Sequence, residues 1–342
     1  MSIELPLKFK GAPGSPYTRK MLAALRYRRI PYCFLIGDEM VGADMPKPRV
    51  SLLPTFYLRN QSGEYEAVID STPLIRRFEK EIKGRSIIPN DNVMAFLNYL
   101  LEDFGDEWLT KAMFHYRWHF EDDIEQGGNI LPRWRNIQAP EETLQKAAEL
   151  IRERQISRLY VVGSNEVTAA VIESSYKRFL QIMDRLLQKQ PFLMGSRPGS
   201  ADFGIYGQLT QLVGFDPTPM RICLQQAPRV FAWTDVMDDL SGQEPTDEAW
   251  LNRDGAKANL NELLSEVGMV YVPFLLANAR AIRNGEAEVN TEIDGKAWQQ
   301  PAFPYQARCL QWILDEFNAL DDEEQASVRD ILSETGCEAL LD

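Results

Sequence analysis

The chain has 342 residues, 44% hydrophobic and 25% charged, which is the composition of an ordinary soluble globular protein of about two domains. It carries 50 Asp and Glu against 37 Lys and Arg, and this net charge of -13 disfavours nucleic acid and anionic membranes as partners, because both select basic surfaces. No apolar run approaches the about 20 residues of a membrane span, and the N-terminus lacks a signal-peptide pattern, so we expect a cytoplasmic protein.

The first 85 residues contain short apolar runs, typical of strands, and two amphipathic stretches, typical of helices. Gly and Pro clusters at 11–16 and 37–50 separate these runs, as is typical of turns and loops. In chain order they predict strand 5–10, helix 17–28, strand 31–36, strands 53–60 and 64–70 joined as a hairpin, and helix 71–82. This β-α-β, then β-β-α order indicates an α/β domain over residues 1–85.

From residue 91 onward the hydrophobic pattern is almost entirely helical. The predicted helices are 92–118, as one long or broken helix, followed by 139–159, 168–190, 199–214 and 228–241. We expect an all-helical domain over residues 91–241. A helical extension over residues 242–342 is expected to pack on that domain, with a loop or short-strand segment before its last predicted helix, "YQARCLQWILDEFNAL".

Ser15 stands where the first predicted helix begins, directly before Pro16. As an N-cap, a serine accepts hydrogen bonds from amides of the first turn, and this is worth about 1 kcal/mol. A proline in the next position lacks the amide that would stay unpaired in any case. Capping therefore explains Ser15 by itself, but it does not explain three features further along the chain.

The first feature is Pro54 in "LLPTFYL", since a proline in a hairpin strand removes a ladder donor. The position makes sense if the Leu53–Pro54 bond is cis and the Leu53 backbone turns outward to pair with an extended ligand. The second is the pair Asp70 and Ser71, which opens a helix whose free amides and dipole can hold a carboxylate. The third is the loop "GSRPGSADF", where Asp202 is placed to cap the amides behind it.

At these residues the chain resembles the glutathione transferases. The stretch "GAPGSPYTRKMLAALRYRRIPY" resembles the family's active-site turn and first helix, "LLPTF" its cis-proline, "DS" at 70–71 its acid–serine pair, and "RPGSADF" its helical-domain capping motif. The resemblance covers residues 5–85 and, less closely, 168–240. It implies an α/β thioredoxin-like N-terminal domain followed by an all-α C-terminal domain. One departure is Gly199, where the family usually has Ser or Thr.

The resemblance also implies the residues of a glutathione site. Ser15 would donate a hydrogen bond to the glutathione thiolate, with Tyr17 as the runner-up hydroxyl. Leu53, beside Pro54, would pair its backbone with the cysteinyl unit. The remaining glutathione-binding residues implied are Asp70 and Ser71 for the γ-glutamyl end, and Lys47 or Arg49 for the glycyl carboxylate.

The aromatic-rich stretch "WLTKAMFHYRWHF" is predicted to line or border the pocket for the second substrate. The residues predicted there are Trp108, Lys111, Phe114, His115 and Trp118. The alternative is a helix buried against its neighbours, since aromatic residues are usually core residues.

A metal site is not expected. His115 and His119 have the i, i+4 spacing that zinc favours, but Tyr116 stands where a metalloprotease would need Glu. The four cysteines are far apart and form no CxxC pair, which also argues against a disulfide framework.

The leading functional hypothesis is a glutathione-dependent transferase that activates the glutathione thiol for attack on a hydrophobic electrophile. Because "SPYT" at 15–18 carries hydroxyls where glutaredoxins carry Cys-Pro-Tyr-Cys, dithiol exchange is excluded at this site. A non-catalytic glutathione transferase-like binding or scaffold protein is the alternative, favoured by the long segments 119–165 and 245–342. A glutathione-dependent reductase or dehalogenase is a further alternative. The family resemblance implies a homodimer.

Overall fold

The computed structural model describes residues 3–37, 40–43 and 45–341, and its N-terminal part is a four-stranded mixed sheet. The strands are β1 (Leu7–Gly11), β2 (Tyr32–Ile36), β3 (Thr55–Arg59) and β4 (Tyr65–Val68). They lie in the order β2-β1-β3-β4, with β1 parallel to β2 and antiparallel to β3, and β3 antiparallel to β4. The predicted order of strands and helices in this region is confirmed.

Aromatic side chains form the centre of this domain's core. The register places Phe9 of β1 opposite Phe56 of β3, and their rings stack with centroids 4.6 Å apart. Helices α1 (Pro16–Tyr27) and α2 (Ser71–Glu81) pack on the sheet, and Phe78 of α2 lies 5.4 Å from the Phe56 ring. Because these rings are buried, they fix the positions of the turns at the ends of the strands.

A helical region follows the sheet domain. Its helices are α3 (Asn92–Glu107), α4 (Leu109–His119), α5 (Glu121–Arg135), α6 (Glu141–Ile156), α7 (Ala169–Leu186), α8 (Ser200–Leu212), α9 (Pro217–Gln226) and α10 (Pro228–Val236), with a 3₁₀ turn at Leu159–Val162. The predicted helix 92–118 is broken at Trp108, whose indole N–H donates to Ser175 at 2.8 Å. Helices α5 and α9 lie outside the helices predicted from the sequence.

Helix α8 begins with a cap that comes partly from another helix. The Asp202 carboxylate accepts hydrogen bonds from the backbone N–H groups of Leu193 and Gly199, each at 2.8 Å, which confirms its predicted capping role. The side chain of Asn98 on α3 accepts from the Ala201 N–H at 3.1 Å. A Cβ on Gly199 would lie 2.3 Å from the Asn98 Oδ1, so the glycine makes room for a cap supplied by α3.

Close packing joins α8 to α1, the helix that begins at Ser15. A Cβ on Gly207 would lie 2.5 Å from the Pro16 carbonyl oxygen and 3.1 Å from the Lys20 Cβ. Only glycine permits this approach of the α8 backbone to the first turn of α1. The helical region therefore supports the start of α1 directly.

The C-terminal segment contains a β-hairpin in addition to helices. It comprises α11 (Arg253–Asn259), α12 (Asn261–Glu266), a π-helical stretch (Val267–Tyr271), α13 (Val272–Asn284), β5 (Glu288–Ile293), β6 (Lys296–Pro301), α14 (Pro304–Asn318), α15 (Asp322–Leu332) and a 3₁₀ turn (Cys337–Leu341). Asp294 and Gly295 form the hairpin turn with φ values of 54° and 66°, both positive as a type I′ turn requires. The hairpin lies between α13 and α14, in the segment where a loop or short strands were expected, and the rest of the extension is helical.

Aromatic contacts attach this segment to the helical region. The ring of Trp298 lies 5.4 Å from that of Trp108, and the ring of Phe317 lies 5.8 Å from that of Phe96. The Tyr271 hydroxyl donates to the Asp103 carboxylate at 2.5 Å. The segment therefore packs along α3 and its C-terminal cap.

No single helix in the described ranges is long and apolar enough to cross a membrane. The pair Arg253–Asn259 and Asn261–Asn284 meets the length and composition requirement together, with a bend of 61° between its two parts. The side chains of Leu263, Val270 and Phe274 in that pair are buried in the protein core.

Candidate functional site

The sheet topology brings the sequence-predicted features to one edge. Strands β1, β2 and β4 run in one direction and β3 in the other, so the C-terminal ends of β1, β2 and β4 meet the N-terminal end of β3. Ser15 follows β1, Pro54 precedes β3, and Asp70 follows β4. The site is therefore built at this edge from segments that are far apart in the sequence.

Ser15 is the N-cap of α1, with φ -98° and ψ 118°. Its hydroxyl oxygen accepts from the Thr18 N–H at 3.3 Å, and the hydroxyl donates to the Leu53 carbonyl oxygen at 3.4 Å. Ser15 is partly exposed and lines a large cavity. Because the bond to Leu53 is long, the hydroxyl can turn its proton to a ligand in the cavity and still cap the helix.

The peptide bond between Leu53 and Pro54 is cis, as the sequence predicts. Leu53 lines the same cavity as Ser15. Within the described residues its backbone N–H has no hydrogen-bond partner. An extended peptide ligand could pair with this N–H in the manner of a neighbouring strand.

A buried arginine holds the glycine-rich turn in front of Ser15. The Arg117 guanidinium donates to the Gly14 carbonyl at 3.2 Å and pairs with Asp216 at 2.8 Å, while Gln211 donates to the Pro13 carbonyl at 3.1 Å. Burial raises the pKa of Asp216 to about 6, although the charge of Arg117 opposes that shift. Sequence analysis missed Arg117 because nothing near it in the chain shows that it meets this turn.

Asp70 and Ser71 form the N-terminal end of α2 and do not line the cavity. Asp70 has φ 80°, a conformation that is uncommon for any residue except glycine. Its carboxylate accepts from the Tyr305 hydroxyl at 3.3 Å. Ser71 is buried, and its hydroxyl oxygen accepts from the Lys20 ammonium at 3.2 Å.

The cavity beside Ser15 has a volume of about 1200 Å³. Its walls are the turn before α1, the loop between β2 and β3, one face of α4, and the ends of α5 and α6. Apolar side chains dominate the walls, among them Met113, Phe114, Trp118, Leu131 and Trp134. A cavity of this size accommodates a small organic molecule together with part of a peptide ligand.

Residues 10–86, which include Ser15, Leu53 and Asp70, match the family model for the glutathione S-transferase N-terminal domain. This match assigns residues 10–86, and not the whole chain, to the glutathione S-transferase N-terminal domain. The fold of the chain is the one that the family resemblance implies: a thioredoxin-like domain followed by an all-α domain. No curated protein sequence matches the chain.

Several solved glutathione transferases match the chain at low sequence identity. A tau class enzyme from mango (Mangifera indica) is 15% identical, with 71% of this chain and 94% of the mango chain covered and a TM-score of 0.39. Proteins from Pseudomonas fluorescens and Burkholderia graminis, both with two glutathione molecules bound, are each 15% identical with TM-scores of 0.40. These two comparisons cover 67% of this chain, and 87% and 82% of the respective neighbours. The domain assignment of residues 10–86 does not depend on these scores.

In this glutathione S-transferase domain, Lys20 stands behind Ser71 within a group of carboxylates. Its ammonium is fully buried and donates to Glu102 at 2.7 Å and to Asp106 at 2.5 Å. Burial alone would lower the pKa of Lys20, but these two carboxylates outweigh burial and raise it. Burial raises the pKa of Asp106 to about 6 against the charge of Lys20, and the pKa of Glu102 falls to about 2 because Lys20 and Arg76 outweigh burial.

Tyr305 links the C-terminal segment to the α2 end of the site. It lies in the first turn of α14, and its hydroxyl reaches the Asp70 carboxylate. Burial raises the pKa of Asp70, while the charge of Lys20 and the bond from Tyr305 oppose that rise. Sequence analysis missed Tyr305 because the two residues are 235 positions apart.

Helix α4 divides the predicted second-substrate residues between two faces. Phe114 and Trp118 line the cavity, as predicted. Trp108, Lys111 and His115 do not line the cavity, because their spacing of three and four residues places them on the opposite, buried face. The number of aromatic residues pointed to this helix, but it did not show which face of the helix lines the cavity.

Lys111 illustrates what that buried face does. Its ammonium donates to the Val162 carbonyl and the Gln300 side chain, each at 3.2 Å, and lies 4.0 Å from the centroid of the Phe274 ring. Burial lowers the pKa of Lys111 to about 7. The residue therefore joins α4 to the C-terminal segment instead of contacting a substrate.

The remaining predicted site residues lie at the edges of this arrangement. Tyr17 lines the cavity, but its hydroxyl donates to the Asp106 carbonyl at 2.8 Å, and burial raises its pKa well above the ordinary value. Lys47 and Arg49 are exposed and do not line the cavity. Of the predicted hydroxyls, Ser15 is therefore the one in a position to face a ligand.

The two histidines serve the packing of α4. The His115 ring bonds to the Ser164 hydroxyl at 2.8 Å and stacks on His119 with centroids 4.6 Å apart. Across the described part of the chain, no group of three or more His, Cys, Asp or Glu side chains is arranged to hold a metal ion.

Proposed function

We propose that the protein binds glutathione along the sheet edge and activates its thiol for attack on an electrophilic small molecule. The observation that carries this proposal is the Ser15 hydroxyl on the cavity wall, beside the Leu53 N–H, which has no hydrogen-bond partner in the described part of the chain. The match of residues 10–86 to the glutathione S-transferase N-terminal domain supports it.

The groups around the edge suit the cysteinyl and γ-glutamyl parts of glutathione. The Leu53 N–H can pair with the cysteinyl carbonyl. The three carboxylates of Asp70, Glu102 and Asp106 outnumber the two cations beside them, Lys20 and Arg76, and this excess of negative charge favours the γ-glutamyl ammonium. Lys20 donates to the Ser71 oxygen, so the Ser71 proton can donate to the γ-glutamyl carboxylate.

Activation means stabilising the thiolate. A free thiol has a pKa near about 8.5, so only a few per cent is ionised at neutral pH. A decrease of about two units requires roughly 2.7 kcal/mol of preference for the anion. One charge-assisted hydrogen bond from Ser15, together with the positive end of the α1 dipole, supplies a stabilisation of this size. The thiol proton passes to solvent, and the sulfur forms a bond to carbon by adding to the electrophile or displacing its leaving group.

The test is a pH titration of bound glutathione, followed by the ultraviolet absorbance of the thiolate. We expect a lowered thiol pKa with the unchanged protein and with Tyr17→Phe, and an ordinary thiol pKa with Ser15→Ala. Circular dichroism of both variants controls for folding. If Ser15→Ala keeps the lowered pKa, Ser15 is a cap only and the proposed activation is wrong.

A non-catalytic binding protein is the second candidate, and the contact of Tyr305 with Asp70 favours it because this contact brings the long C-terminal segment against the α2 end of the site. Calorimetry with glutathione separates the two candidates: the absence of binding supports the scaffold. A reductase or dehalogenase would consume glutathione without forming a stable conjugate.

The homodimer and the cytoplasmic location stay predictions. Light scattering on the purified protein tests the first, and the mass of a single chain would refute it. Fractionation of the source cells tests the second.

A further inference from the structure

Three arginines line the cavity and have no ion-pair partner among the residues that the structure describes. Arg135 ends α5, Arg154 lies in the last turn of α6, and Arg158 lies two residues beyond α6. All three are exposed, and none is within ion-pair distance of a carboxylate in the described residues. By contrast, the neighbouring Arg133 does not line the cavity and pairs with Glu141 at 2.5 Å.

The charge of this wall is opposite to that of the whole chain. The protein has 50 acidic residues against 37 basic ones, yet no Asp or Glu among the described residues lines the cavity. Another part of the cavity wall consists of apolar side chains such as Phe114 and Trp118 on α4. A ligand that matches both walls has an apolar body and an anionic head.

We propose that the cavity binds an organic anion, with its apolar body against α4 and its carboxylate, sulfonate or phosphate at Arg135, Arg154 and Arg158. Within the proposed function, such an anion is the electrophile class that the transferase accepts. Arginine suits this role because its planar guanidinium meets these head groups with two parallel hydrogen bonds. Stabilising the helix dipoles explains arginines near the ends of α5 and α6, but it does not require that they face the cavity.

The test uses two probes that differ in one charged group. Anilinonaphthalene sulfonate is the anion, and phenylnaphthylamine has the same ring system without the sulfonate. Their fluorescence on binding is titrated with the unchanged protein, with Arg154→Ala/Arg158→Ala and with Arg135→Ala. Lys146→Ala is the matched control, because Lys146 lies on the same helix and is exposed, but does not line the cavity.

We expect the double variant to weaken binding of the sulfonate about tenfold while binding of the neutral probe stays unchanged. Arg135→Ala should act in the same direction, and Lys146→Ala should change neither affinity. Added salt should weaken the binding of the sulfonate probe and leave the binding of the neutral probe unchanged. Equal losses for both probes, or no loss for the sulfonate, would overturn the proposal.

Glutathione titrations keep this proposal separate from the proposed function. If the arginines serve the second ligand, the double variant binds glutathione as the unchanged protein does, and saturating glutathione does not displace the sulfonate. A double variant that loses glutathione affinity instead assigns the arginines to glutathione, which refutes the inference but not the transferase. Selective sulfonate binding in a protein that does not bind glutathione refutes the transferase alone.

Discussion

The cap that α3 supplies to α8 leads to a prediction about compensating substitutions. Asn98 is completely buried, accepts from the Ala201 N–H at 3.1 Å and donates to the Ser200 hydroxyl at 2.7 Å. Gly199 leaves the space that the Asn98 side chain occupies. We therefore expect Asn98→Ala to destabilise the protein, and Gly199→Ser to have effects of opposite sign with and without Asn98.

The magnitudes follow from these contacts. Asn98→Ala leaves a buried amide unpaired, which costs about 1–3 kcal/mol of unfolding free energy. With Asn98 present, Gly199→Ser places a Cβ at 2.3 Å from its Oδ1 and should cost about 1–3 kcal/mol. In the Asn98→Ala background the clash with Oδ1 is absent and the new hydroxyl can cap α8, so Gly199→Ser should raise the free energy of unfolding by about 1 kcal/mol. The buried Met194 side chain, whose Cγ lies 2.7 Å from that Cβ, must then also shift.

The assay is urea denaturation of the unchanged protein, the two single variants and the double variant, analysed as a double-mutant cycle. The coupling should favour the double variant by about 2 kcal/mol or more. Equal destabilisation by Gly199→Ser in both backgrounds would show that Asn98 does not provide the cap. Circular dichroism confirms that all four proteins are folded before unfolding.

Three further predictions concern buried and linking residues. Burial lowers the pKa of Lys111 to about 7, so the unfolded chain binds more protons than the folded protein between about pH 7 and pH 10, and the stability of the wild-type protein rises with pH in that range. The stability advantage of Lys111→Met over wild type should therefore be greatest near pH 6. Above pH 7 this advantage should fall by up to about 1.4 kcal/mol per pH unit, as measured by urea denaturation. Tyr305→Phe removes a hydrogen bond to the charged form of Asp70, so the pKa of Asp70 should rise. Calorimetry should then show that glutathione binds about fivefold more weakly, with a larger loss of affinity at acidic pH. Gly207→Ala, whose Cβ would meet the α1 backbone at 2.5 Å, should destabilise by about 1–3 kcal/mol, whereas Gly242→Ala, with open space around its Cβ, should be near neutral in the same denaturation assay.

Each of these three has an outcome that would contradict it. A pH-independent difference between Lys111→Met and wild type would mean that Lys111 titrates alike in the folded and unfolded chain. Unchanged glutathione affinity in Tyr305→Phe would show that the contact with Asp70 does not shape the site. A stable Gly207→Ala protein would mean that α8 and α1 separate readily.

The local parts of the fold were predictable because their signals are local. Proline and glycine punctuation located the strands and helices of the first 85 residues, and the position of Asp202 after Gly199 identified its capping role. The hairpin at 288–301 also had a local signal that sequence analysis did not use. Its Asp294-Gly295 pair lies between short runs that favour strands, which is typical of a type I′ turn. Helix α5 was missed because its paired glycines and Pro132 mask the helical pattern.

The long-range parts were not predictable, because nothing in a local window identifies the partner. Arg117 and Gly14 are 103 positions apart, and so are Asn98 and Ala201. The buried face of α4 shows the same limit, since both of its faces carry large side chains and only tertiary packing decides which one meets the cavity.

The C-terminal segment acts on the electrostatics of the proposed glutathione site through α3. Glu102 and Asp106 lie on the face of α3 that meets Lys20, while Asp103 lies on the face that meets the C-terminal segment. Burial raises the pKa of Asp103 to about 7, and the hydrogen bond from Tyr271 opposes that rise. Neighbouring carboxylates on one helix repel each other, so the protonation of Asp103 bears on how readily Asp106 ionises beside Lys20. The C-terminal segment therefore affects the charge at the α2 end of the site in two ways. Its Tyr305 donates a hydrogen bond to Asp70, and its packing on α3 buries Asp103.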